Sequence, residues 1–196
     1  MGKTRLEAFS DGVLAIIITI MVLELKVPHG GGADALVPLV PAFLSYLLSF
    51  IYVGIYWNNH HHLLHAAKRV KGGMLWANLN LLFWLSLFPV TTAWMGDNHA
   101  ASLPAAVYGF VLLMAAFAYW LLQQCIVATE GPDSTLARAL GSDWKGKLSP
   151  LVYLTAIPAA WLDPRISQAL YVLIAVIWFV PDRRIERALR HDGHDD

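Results

Sequence analysis

One cysteine, Cys125, stands among 196 residues, so no internal disulfide can form. Charge is scarce as well. Only 14% of the residues are Asp, Glu, Lys or Arg, against about a quarter in an ordinary soluble domain. Acids and bases balance at fourteen each, which leaves no basic excess to hold nucleic acid. Internal repeats and a separate soluble domain are also lacking. The apolar residues, 57% of the chain, run in long blocks rather than at amphipathic spacing. What remains is an all-α, polytopic membrane protein with a single domain over residues 1–196.

Six blocks of about 15 to 25 residues read as spans, against roughly 20 needed to cross 30 Å of hydrocarbon. They cover 9–25, 36–57, 74–94, 103–128, 148–162 and 166–180. Pro38, Pro41, Pro104 and Pro150 are expected in first turns, where a missing N–H costs little. Pro89 and Pro158 fall later and are expected to kink their helices. HGGGAD, residues 29–34, reads as a flexible loop, and Asp163-Pro164 as a tight hairpin between the last two spans.

Six spans return the chain to the side where it started. With the N-terminus inside, twelve of the fourteen basic residues fall in inner segments, leaving Lys26 and Arg165 outside. The positive-inside rule then makes both termini cytoplasmic. A signal peptide is the competing reading of MGKTR and the apolar run behind it. Asp11 breaks that run and no small-x-small cleavage site follows, which argues against it.

The first span, RLEAFSDGVLAIIITIMVLEL, carries Ser10 and Asp11 near its front and Glu24 near its back. Between the two carboxylates lie 12 residues, about 18 Å of helix. A lipid-facing helix that short would drag charge into hydrocarbon at several kcal/mol per group. Its polar positions therefore have to face protein or water, which argues for a central helix. At about 100° per residue, Ile16 lies about 20° and Ile20 about 60° from Leu23, with Thr19 on the flank. Two readings of this stripe stay open. It packs on a neighbouring helix, or copies of it surround an axis and form a hydrophobic constriction.

Asp11 needs donors, and Arg5, six residues away on the same helix, cannot supply them. The inner end of the second span, WNNHHHLLH over 57–65, offers an indole and several imidazoles: Trp57, His60, His61, His62 and His65. A satisfied network there would lock helix packing. The same histidines admit a rival reading, a membrane-embedded metal enzyme. A di-iron centre needs several histidine clusters on one face. His29 and His99 fall on the opposite side and His191 and His194 in a charged tail, so the ligands are too few. A solvated interfacial tract accounts for His62 and His65 as well.

The string Arg5-x-x-x-Phe9-Ser10-Asp11, with Ile16, Thr19 and the Leu23-Glu24-Leu25 end, resembles the transmembrane protein 175 family of potassium channels. Trp57-x-x-His60-His61 is a second match. The resemblance implies a homotetramer built around the first helices in prokaryotic members, with potassium and other monovalent cations as permeant ions and no cofactor. It also implies that hydrophobic side chains of the first helix close and filter the pore. Carried over, Ile16 forms the narrowest ring, with Thr19, Ile20 and Leu23 above it. Arg5, Phe9, Ser10, Asp11, Trp57, His60 and His61 form the structural network. Whether Arg5 lines the inner mouth or braces the second helix stays open.

No TVGYG-like loop of backbone carbonyls is present, so apolar rings have to select ions, and they discriminate weakly. Copies of Glu24 would gather cations at the outer end, with Lys26 cancelling part of their field. The expected function is a weakly selective potassium channel of the plasma membrane. A proton-permeable channel is the nearest alternative, since His60, His61 and His62 place imidazoles, which can take up and release protons, at the inner end of the second span.

Overall fold

The computed structural model describes residues 2–131, 134, 137 and 144–179, and these residues are helical with short connections. The first helix, α1 (Lys3–Leu23), is followed by a 3-10 helix, η1 (Ala33–Leu39), that runs directly into α2 (Val40–Ala66). Next come α3 (Gly72–Ser86), α4 (Phe88–Asp97) and the long α5 (Ser102–Glu130). Two shorter helices, α6 (Trp144–Ala159) and α7 (Pro164–Phe179), complete the bundle. By length and apolar composition, α1, the η1–α2 unit, the α3–α4 unit and α5 can each cross a membrane. The last two helices are shorter.

The third block is broken in two. Leu87 separates α3 from α4 because Pro89 has no N–H for the carbonyl of Leu85, and its ring crowds that carbonyl. Proline therefore opens a new helix rather than kinking a continuous one. Pro158 differs from expectation in another way. The helix ends one residue later, at Ala159, and a turn follows it. Pro150 stands beyond the first turn of α6, since the helix already includes Trp144. Within the HGGGAD loop, Gly30 takes a φ of 118°, a conformation open to glycine, and η1 begins at Ala33. Val180, Arg138 and the basic residues after 180 lie outside the described residues.

Packing centres on α5, which touches α3, α4, α6 and α7, while α2 lies against α1, α4 and α7. Hydroxyl groups stitch these helices together. Ser49 of α2 bonds Thr92 of α4 at 2.6 Å and Tyr108 of α5 at 2.9 Å. Tyr52 donates to the Tyr171 carbonyl at 2.7 Å and accepts from Tyr153 at 3.3 Å. Tyr171 in turn donates to the carbonyl of Ala105. In hydrocarbon an unpaired hydroxyl is costly, so each bond ties two helices at a fixed height. Small residues admit the close approaches. A Cβ on Gly96 would sit 2.8 Å from the Ala42 backbone, and one on Gly109 would overlap the Tyr171 hydroxyl.

Polar contacts mark the two ends of the bundle. At one end Lys3 donates to the His65 carbonyl, the Glu130 carboxylate takes the N–H groups of Lys68 and Arg69, and Lys145 reaches the Ile177 carbonyl. At the other end Lys26 pairs with Asp97 at 2.7 Å and Gln168 donates to the His99 carbonyl. The short connections bring alternate helix ends together, so Lys3, Lys68, Arg69, Lys71, Lys145 and Lys147 gather at the first end.

Candidate pore face and its anchor

The first helix packs on one side only. Leu6, Ser10, Leu14, Ile17 and Met21 recur three or four residues apart, are buried, and lie against α2, α3 and α4. The opposite side is open. Phe9, Ile16, Ile20 and Leu23 are exposed, Ile16 at 59% and Leu23 at 76%. Thr19, also exposed, turns its hydroxyl back to the Ala15 carbonyl at 2.9 Å. Within one chain α1 is thus a peripheral helix, not a central one. Among the described residues the Ile16–Ile20–Leu23 stripe stays exposed.

Three polar links hold the buried side. Asn78 of α3 donates through Nδ2 to Ser10 Oγ at 2.9 Å, and its Oδ1 meets His60 Nε2 at 2.7 Å. Ser10 passes its own proton to the Leu6 carbonyl. Because the Asn78 oxygen can only accept, Nε2 of His60 carries the proton. All three side chains are buried and paired, so α1, α2 and α3 are pinned at one height. On the exposed side, Trp57 donates its indole N–H to Asp11 Oδ1 at 3.0 Å.

The expected network residues divide in the structure. His61 makes no hydrogen bond to Asp11; its ring stacks on Trp57 and His65, with centroids 6.4 and 6.2 Å apart. The indole reaches the carboxylate and leaves His61 on the outer surface of α2. Arg5 is exposed, and its side chain makes no hydrogen bond or ion pair among the described residues. Asn78 was not singled out from the sequence. Its signal was there, a polar residue within the apolar run ANLNLLFWL, residues 77–85. At the far end Lys26 reaches Asp97, not Glu24, which stays exposed behind the last turn of α1. Among the described residues, no three His, Cys, Asp or Glu side chains converge in a way that could hold a metal ion.

A one-sided helix anchored by buried polar links and presenting a free apolar stripe suits a wall shared between chains. The sequence profile described as endosomal/lysosomal potassium channel TMEM175 matches residues 5–89, which contain this helix and its anchors. A potassium channel of Chryseobacterium sp. strain P1-3 is 54% identical over 192 residues, covering 98% of this chain and all of that protein. The chain belongs to the TMEM175 family of ion channels. A potassium channel of Streptomyces collinus is 32% identical over 89% of this chain and 90% of its own length. The crystal structure of a lysosomal potassium-selective channel TMEM175 homologue from Chamaesiphon minutus superposes with a TM-score of 0.80. That match has 27% identity and covers 91% of this chain and 96% of that one. The human endosomal/lysosomal proton channel TMEM175 is 38% identical over 96 residues, which are 42% of this chain and 19% of that protein.

Proposed function

We propose that this TMEM175 chain is one protomer of a homotetrameric, weakly selective potassium channel of the plasma membrane. Four copies of α1 surround the ion path, and Ile16, Ile20 and Leu23 form successive apolar rings. The observation that carries this reading is the exposed stripe on a helix whose other side is fully engaged. In a lone chain that stripe and Asp11 would meet lipid, which is costly for the carboxylate. Around an axis the same stripe lines a narrow neck, and Asp11 faces a hydrated vestibule.

An apolar neck gates by dewetting and filters by the cost of stripping water from the ion. Phe9 and Arg5 then stand at the inner mouth and Glu24 at the outer one. Pairing of Lys26 with Asp97 supports an outer field set by the Glu24 carboxylates. The basic end of the bundle supports an inward orientation for both termini. No cofactor takes part, and the channel performs no chemistry.

Flux from proteoliposomes under an outward potassium gradient tests the reading. Potassium should charge the vesicles, and sodium substitution should reduce the potential without abolishing it. Potassium flux no greater than in protein-free vesicles would remove the proposal. The name carried by the animal relatives motivates a second arm with a trapped pH dye. Acidification that tracks potential in the absence of potassium would favour proton permeation.

A further inference from the structure

A cavity of about 180 Å³ opens between α2, α5, α6 and α7, and no residue of α1 lines it. Its walls come from the later parts of α2 and α5, the early part of α6 and the last turn of α7, so it faces the basic end of the bundle. Its interior is mostly aromatic and aliphatic, with Tyr52, Tyr119 and Trp178 prominent. Polar groups converge there too. Gln123 is only 6% exposed, yet its amide has no hydrogen-bond partner among the described residues. The Tyr56 hydroxyl is likewise unpartnered. Among the described residues no fully enclosed side-chain N or O lacks a partner, so both groups open onto the cavity.

Among the described residues, Lys147 lines the mouth, is exposed and has no side-chain partner, and no Asp or Glu lines the cavity. The rim carries exposed Trp120, Gln124 and Lys147. Tryptophan and lysine are residue types that sit at the membrane–water boundary, so the mouth lies at headgroup depth.

We propose that this cavity binds the glycerophosphate head of an anionic phospholipid from the adjoining leaflet. The phosphate meets Lys147, and the Gln123 amide and Tyr56 hydroxyl bond the glycerol and ester oxygens. The acyl chains stay in the bilayer beyond Trp120, since the cavity is too small to enclose them. The site is separate from the pore and does not depend on how ions pass.

Native mass spectrometry of the purified, delipidated protein tests this. Three probes are added separately: phosphatidylglycerol, phosphatidylcholine and glycerol 1-phosphate. Phosphatidylglycerol should remain bound at up to one per chain, more tightly than phosphatidylcholine, and glycerol 1-phosphate should neither bind nor compete. Lys147→Gln should weaken phosphatidylglycerol about fivefold, on the scale of one surface lysine near an anionic headgroup. Gln123→Leu should weaken both lipids. Lys147 is exposed, so its variant keeps the fold, and an unchanged thermal midpoint verifies that. Should Gln123→Leu fail to fold, the lysine variant decides alone. Equal retention of both lipids with no effect of Lys147→Gln would overturn the proposal. Displacement of phosphatidylglycerol by glycerol 1-phosphate would overturn it in favour of a soluble phosphate ligand.

Discussion

Trp57 donates its indole N–H to Asp11 across 3.0 Å, joining the later half of α2 to the early part of α1. The donor lost in Trp57→Phe and the acceptor lost in Asp11→Ala belong to one bond. Each single variant should lower stability by about 1 kcal/mol, and the double variant by clearly less than the sum. Thermal unfolding of the four proteins in detergent measures this. His61→Ala, which removes a stacked ring rather than a bond, should show little coupling to Asp11. Additivity between Trp57 and Asp11 would mean that the indole contributes nothing to holding the carboxylate.

Asn78 is the more demanding test of the anchor. Asn78→Leu leaves His60 with a buried N–H and no acceptor, a cost of about 2 to 3 kcal/mol. Ser10 keeps its bond to the Leu6 carbonyl and should suffer less. Replacing both partners, Asn78→Leu with His60→Leu, should recover part of the loss, because two apolar groups need no partner. A double variant worse than Asn78→Leu alone would show that the pair is not what the site depends on.

Gly109 allows the ring of Tyr171 to cross α5 and reach the Ala105 carbonyl at 3.0 Å. Gly109→Ala puts a methyl group where the hydroxyl lies, so the ring must leave its bond. The expected loss is about 2 kcal/mol, in the range of overpacked cores. Tyr171→Phe, by removing the hydroxyl, should soften the effect of Gly109→Ala. Denaturation midpoints of the single and double variants would expose any failure of that rescue.

The Ile16 ring is tested by polarity at constant size. Ile16→Asn offers oxygens to a passing ion and wets the neck, so current should rise and potassium-over-sodium preference should fall. Ile17→Asn is the contrast, since Ile17 is 3% exposed against 59% for Ile16. It should cost stability and leave the selectivity of any surviving channel alone. Unchanged conductance and reversal potential in a well-folded Ile16→Asn channel would remove Ile16 from the constriction.

Glu24 stands at the end of α1 while Lys26 is occupied by Asp97. Glu24→Gln should therefore lower single-channel current at low salt by weakening cation accumulation. The difference should fade near 1 M salt, where screening acts over about 3 Å. Asp97→Asn frees Lys26 and should mimic the loss in part. Equal reduction at all salt concentrations would point to a structural role instead.

Much of this protein can be read in the chain itself. Long apolar blocks with few charges require membrane helices, because backbone groups in hydrocarbon have to pair within a segment. The 3.6-residue period of α1 separates Ile16 and Leu23 from Ile17 and Met21, and the structure divides those residues into an open and a buried side in the same way. Family membership was legible as well, within the stretch of residues 5–89 that the family profile matches. Which donor meets Asp11 was not. Trp57 and His61 stand one turn apart at the end of α2, and only the crossing of α1 over α2 decides that the indole arrives. Asn78 shows the same limit, since it lies 68 residues from Ser10 and 18 from His60, and no periodicity carries such a triad. The break at Leu87, the pairing of Lys26 with Asp97 and the cavity beside Gln123 likewise depend on where one helix end meets another. Local strings fix which surfaces a helix can offer. Packing between helices distant in sequence decides which of them are used.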